Sequence, residues 1–131
     1  MSEVTWGVYT DGTLRLLEKT LNWRARNQEI IAGNIANLDT PNYTRKEMNF
    51  DKILKSYSRG VIQEVGLNTT GKGHLPGSDP SRALVEDTGD DVDLDREMVQ
   101  MSTNFLSFQA STQMLIKKLD TLRSAIDGGQ K

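Results

Sequence analysis

The sequence predicts a mainly α-helical chain, with two long terminal helices forming an antiparallel coiled-coil hairpin and an irregular, partly extended middle segment between them. Three observations predict it. Apolar residues in the last third recur at alternating spacings of four and three. An interrupted version of the same spacing runs through the first third, and glycine and proline concentrate in between. At 131 residues the chain has the length of about one domain. The expected division is an N-terminal helix over about 10–39, a turn and irregular segment over 40–93, and a C-terminal helix over 94–127.

The C-terminal helix carries the clearest pattern. Leu94, Met98, Met101, Phe105, Phe108, Thr112, Leu115, Leu119, Leu122 and Ile126 follow the 3.5-residue repeat of a coiled-coil seam, and only Thr112 in that line is polar. Asp93 suits the N-cap, Asp95 and Glu97 place negative charge in the first turn, and Gly128 and Gly129 close the pattern. Such a helix would run on the order of 50 Å at 1.5 Å per residue.

The N-terminal helix repeats the theme with a polar centre. Leu14, Leu17, Leu21, Ile31, Ile35 and Leu38 keep the spacing, but Arg24 and Gln28 occupy the two middle positions. Thr10 or Asp11 would cap its start, and Pro41 stops it just beyond Leu38, because proline drives the preceding residue out of the helical region. This shorter, interrupted stripe cannot cover the whole C-terminal seam. Other chains are therefore expected to cover the remainder.

Six of the eleven glycines and two of the three prolines lie between residues 60 and 89. Short apolar pieces there, "VIQEVGL" and "RALV", read as isolated extended segments rather than as a second domain. An acidic run, "EDTGDDVDLDRE", leads into the second helix.

Composition narrows the function classes. A hydrophobic fraction of 36% and a mean hydropathy of −0.54 are low for a self-sufficient core. Sixteen basic and eighteen acidic residues give a net charge of −2, which offers no electrostatic footprint for nucleic acid or an anionic membrane. No run of 18 apolar residues spans a bilayer, and "MSEVTWGVYTDG" lacks the basic and apolar stretches of a cleavable signal peptide. The absence of cysteine excludes disulfides and thiolate metal sites.

Catalytic and metal-binding candidates fail on inspection. His74, the only histidine, stands in "GKGHLPG" with no ligating neighbour, which fits a loop or packing role. Asp91, Asp93 and Asp95 mimic the start of a calcium loop, but Arg96 stands where glycine is required and Ser102 where a bidentate glutamate is required. "GKG" is too short to cradle a phosphate. No catalytic residue, cofactor or metal is expected.

The helix end at Asn34, Ala36 and Asn37, an N-x-A-N pattern, is followed by a turn with Thr40, Pro41 and the aromatic Tyr43. This stretch, within residues 27–54, resembles the N-terminal signature of the bacterial flagellar rod and hook proteins. The C-terminal "GDDVDLDREMVQMSTNFLSFQASTQMLIKKLDTLRSAI" resembles the same family, with Phe105 and Phe108 departing from a stretch that often contains tyrosine. The resemblance covers both terminal thirds, and the middle only through "GHL". It implies a structural subunit whose terminal helices pack as a coiled coil and stack into a drive shaft crossing the periplasm, passing torque from rotor to hook. The implied partners are copies of itself, other rod proteins, the protein joining the rod base to the MS ring, and the gate of the flagellar type III export apparatus.

Within that resemblance, Asn34 and Asn37 would pin the turn by bonding the backbone of the returning segment. The alternative reading makes them surface residues fraying the helix end. Phe50 and Leu54, in "FDKIL", are similar to the F-x-x-x-hydrophobic segment that engages the export gate, though Phe50, Ile53 and Leu54 would equally pack the returning segment onto the first helix. Two other identities fit the helical pattern: a second short proximal rod subunit, and a cytoplasmic helical adaptor or export chaperone.

Overall fold

The computed structural model describes residues 2–59 and 84–129. In chain order they form helix α1 (Ser2–Ala36), strand β1 (Lys46–Met48), helix α2 (Phe50–Ser58), strand β2 (Val85–Asp87) and helix α3 (Leu94–Gly128). His74 and the segment 61–67 lie outside the described residues. The fold is mainly helical, with the long helices α1 and α3 packed against each other in antiparallel sense and the short strands β1 and β2 lying in the chain segment that connects them.

The first helix starts earlier than expected, at Ser2 rather than near residue 10. Thr10 and Asp11 therefore lie within the helix rather than at its start. Gly12 is also interior, and a helical glycine costs only about 1 kcal/mol relative to alanine, too little to end a helix held by its neighbours. At the other end the last turn tightens. The Asn37 amide bonds the carbonyls of both Gly33 and Asn34, at 3.1 and 3.2 Å, and the Leu38 amide bonds that of Ile35 at 3.2 Å. These short-range bonds satisfy carbonyls that a helix end otherwise leaves open. Asn42 then takes a left-handed φ of 62°, a region asparagine tolerates better than most residues.

Helix α2 lies where an irregular segment was expected. Asn49 caps it in extended geometry, accepting from the Lys52 amide at 3.2 Å, and Asp51 pairs with Lys55 one turn on at 2.5 Å. Phe50, Ile53, Leu54 and Tyr57 have the i, i+3, i+4, i+7 spacing of an amphipathic helix. Strands β1 and β2 pair antiparallel, with Lys46 opposite Asp87, Glu47 opposite Glu86 and Met48 opposite Val85.

The chain groups into two compact units. One consists of the first 28 residues with the chain from Val99 onward, the other of Glu29–Met98. In the first, among the described residues, Trp23 is the buried apolar side chain and Asn104 of α3 the buried polar one. In the second, Ile31, Met48 and Ile53 are buried together with three polar residues, Asn34, Arg45 and Glu97.

Candidate functional site

The polar centre of the second unit is built around Asn34, which is 0% exposed. Its Nδ2 donates to the Lys46 carbonyl at 2.8 Å and to Glu97 Oε2 at 3.1 Å. Its Oδ1 accepts from the Lys46 amide at 3.0 Å and from the Tyr43 hydroxyl at 3.1 Å. An asparagine amide has two donors and two acceptor sites, so every valence is used, and a backbone amide and carbonyl of the first β1 residue are satisfied together.

Asn37, one turn later, behaves differently. Its Nδ2 folds back onto the Gly33 carbonyl at 2.8 Å, and its Oδ1 accepts from the Thr40 hydroxyl at 3.2 Å. The Thr40 amide bonds the Asn37 carbonyl at 3.0 Å and the Tyr43 amide bonds the Thr40 carbonyl at 3.3 Å. Asn37 thus closes its own helix and opens the turn, while Asn34 meets the returning segment. Pro41 is exposed at the turn, and so is Ala36.

Arg45 and Glu97 form a buried ion pair through Nε and Oε1, and Arg45 also bonds Glu47 at 2.7 Å. Burial alone would lower the affinity of the Arg45 guanidinium for its proton. The hydrogen bonds and charges of Glu47 and Glu97 outweigh that effect and hold it above its ordinary value. A buried pair of this kind costs desolvation that only good geometry and further hydrogen bonds offset, and here Asn34 Nδ2 donates to the second oxygen of the Glu97 carboxylate. The Arg45 backbone is tied as well: its amide donates to the Asp90 carbonyl at 2.8 Å, and its carbonyl accepts from the Thr88 amide and hydroxyl, both at 2.9 Å. The end of α1, the 43–48 segment, the 87–90 segment and the first turn of α3 are thereby joined in one network.

Two titrating groups border it. Burial raises the Tyr43 phenol, helped by the negative charges of Asp87 and Glu97. The Thr44 hydroxyl, at 2.7 Å, and the Gly89 amide, at 3.0 Å, hold the exposed Asp87 carboxylate below its ordinary range.

The sequence does not mark Arg45, and it marks Glu97 only for its place in the first turn of α3. Glu97 reads as a first-turn carboxylate favoured by the helix dipole, and the capping around it is as expected: Asp93 Oδ1 accepts from the Asp95 and Arg96 amides at 2.9 and 3.3 Å. Its burial follows from a feature of α3 that apolar spacing does not reveal. The less exposed positions of α3 run through Glu97, Met101, Asn104, Phe108, Ser111, Leu115, Lys118 and Leu122. This line shares Met101, Phe108, Leu115 and Leu122 with the apolar seam but replaces its other half with polar residues. Leu94, Met98, Phe105, Leu119 and Ile126 are instead exposed, from 44% at Leu94 to 67% at Ile126. In α2, Phe50 is half-buried, Ile53 buried and Leu54 46% exposed.

Among the described residues no group of three metal-ligating side chains converges, and no helix is long and apolar enough to cross a membrane.

A family profile described as "Flagella basal body rod protein" matches residues 14–44, the stretch that ends in the Asn34 and Asn37 turn. The chain is 33% identical to the flagellar basal body rod protein FlgB of Salmonella typhimurium strain LT2 over 132 aligned positions, spanning 91% of this chain and 96% of that protein. It is also 33% identical to FlgB of Escherichia coli K12, with the same coverage. Similarity extends to FlgB of Bacillus subtilis strain 168 at 29% identity, again over 91% of this chain and 96% of the relative.

Proposed function

The chain belongs to the FlgB family of flagellar basal body rod proteins, and from that premise we propose that it is a structural subunit of the proximal rod, polymerising into the shaft that carries torque from rotor to hook. Its role is mechanical rather than catalytic. The observation that carries this reading is the similarity to FlgB along nearly the whole of both chains, and the exposed apolar line of α3 is what a subunit completed by its neighbours would have. Partners are copies of itself, other rod proteins and the protein joining the rod base to the MS ring.

The turn built from Asn34, Ala36, Asn37, Thr40, Pro41 and Tyr43 holds the end of α1 against the returning segment. We further propose export through the flagellar type III apparatus, with Phe50 and Leu54 engaging its gate, supported by their F-x-x-x-hydrophobic spacing and by the exposure of Leu54.

The test is to tag the chain in its own bacterium, purify basal bodies and locate the tag. Recovery in the rod, with loss of motility on deletion of the gene, is the expected result. A chain confined to the cytoplasm as a stable folded dimer, in a deletion strain that still builds rods, would establish the adaptor reading instead.

A further inference from the structure

The first unit contains a polar layer that the rod reading does not use. Asn104 of α3 is 3% exposed. Its Nδ2 donates to the Arg24 carbonyl at 2.9 Å and to Gln28 Oε1 at 2.7 Å, and its Oδ1 accepts from Asn27 Nδ2 at 3.0 Å. Three of its four hydrogen-bonding valences are therefore taken by one turn of α1, at the polar centre of that helix's seam. Ser111 and Lys118 continue the Asn104 line and are half-buried.

One residue step away, about 100° around the axis at 3.6 residues per turn, lies a second line. It contains Phe105 and Leu119, which are 54% and 49% exposed, and Ile126, which is 67% exposed. Apolar burial alone favours the opposite arrangement, with Phe105 and Leu119 turned toward α1 and the polar line turned to water. We infer that the layer of Asn104, Asn27 and Gln28 is a rotational lock, which fixes the roll of α3 about its own axis and keeps the apolar line facing outward in the free chain. A buried asparagine is able to do this because any roll that withdraws it leaves its partners' polar groups unpaired, whereas leucines pack against one another in several rotations. The roll itself is a property of the isolated chain. Only its consequence for assembly rests on the rod reading.

The chain has no cysteine, so single thiols report the roll directly. Leu119→Cys and Ser111→Cys are introduced separately into the full chain, and their rates of maleimide modification compared under conditions that keep the helices intact by circular dichroism. With the lock present, the thiol at 119 reacts faster than the thiol at 111. Adding Asn104→Ala is expected to reverse that order, shifting the ratio of rates by about tenfold or more, since three hydrogen bonds that each contribute net stability are lost. The double change Asn27→Ala with Gln28→Ala removes the lock from the other side and leaves α1 with better helix formers. It is expected to reverse the order in the same way, and it decides the matter should Asn104→Ala lose helix. Helical variants in which both thiols accelerate in parallel, or in which the original order persists, would overturn the inference.

Discussion

Asn34 and Asn37 are the same residue one helical turn apart, yet the structure gives them unequal work. Asn34, itself 0% exposed, satisfies four groups, and its removal leaves the Lys46 amide and carbonyl, the Tyr43 hydroxyl and one buried Glu97 oxygen short of a partner. Buried polar groups left unpaired cost about 1–3 kcal/mol each. Asn34→Ala is expected to destabilise the chain by at least about 2 kcal/mol in urea unfolding. Asn37→Ala loses contacts beside solvent and should cost less than about 1 kcal/mol, so equal losses would count against this division of roles. The Thr44 hydroxyl gives a pH-dependent counterpart at Asp87. A carboxylate whose folded pKa is depressed contributes stability that is present above its unfolded pKa and disappears as pH falls through the folded one. Acidification through and below the ordinary carboxylate range should therefore loosen the Thr44, Asp87 and Gly89 contacts. Thr44→Val should return the Asp87 titration, followed by NMR, toward its ordinary position, and an unmoved titration would place the cause elsewhere.

At the scale of elements, α2 separates packing from display within five residues. Ile53 is 0% exposed and Leu54 46% exposed. Ile53→Ala should cost about 2–5 kcal/mol, as large-to-small changes in a core do. Leu54→Ala should leave the unfolding transition nearly unchanged while lowering secretion of the subunit, and Phe50→Ala should lower secretion before any assembly defect is seen. Normal secretion of both variants would assign this segment to packing alone. The two long helices were legible because the apolar repeat of α3 is long and that of α1 keeps the same spacing on either side of Arg24 and Gln28. Helix α2 was legible in principle, from Asn49 and the spacing of Phe50, Ile53, Leu54 and Tyr57, but the same residues also read as a linear recognition segment. The strands β1 and β2, with three residues each, are too short to leave a periodic trace. The inward line of α3 was hidden for a physical reason. Apolar spacing marks side chains that will be buried by something, and it says nothing of Glu97 and Asn104, which are buried because Arg45, Asn34, Asn27 and Gln28 pair with them. Nor could residue type distinguish the two asparagines of the turn, since burial beside Lys46 decides which of them binds the returning segment.

For the molecule as a whole, the question is where the exposed half of the α3 seam is completed. Leu119 keeps 49% of its surface in water, so truncating it removes only about half the burial that a core leucine would lose. At about 25 cal/mol per Å² of apolar surface, the loss falls well short of the 2–5 kcal/mol of a core leucine. If neighbouring subunits cover that face in the rod, the remaining surface is buried at each copy of the contact and the deficit repeats along the polymer. Leu119→Ala is therefore expected to shift the thermal transition of the isolated subunit only slightly, yet to reduce incorporation into rods sharply, measured as tagged protein in purified basal bodies. Leu17→Ala on α1 is the control. Leu17 is half-buried within the chain itself, and its truncation should lower the thermal transition of the free subunit more than Leu119→Ala does. A Leu119→Ala chain that melts far below the parent while remaining monomeric would show that the face is closed within one chain, and the exposed apolar line would then no longer speak for assembly.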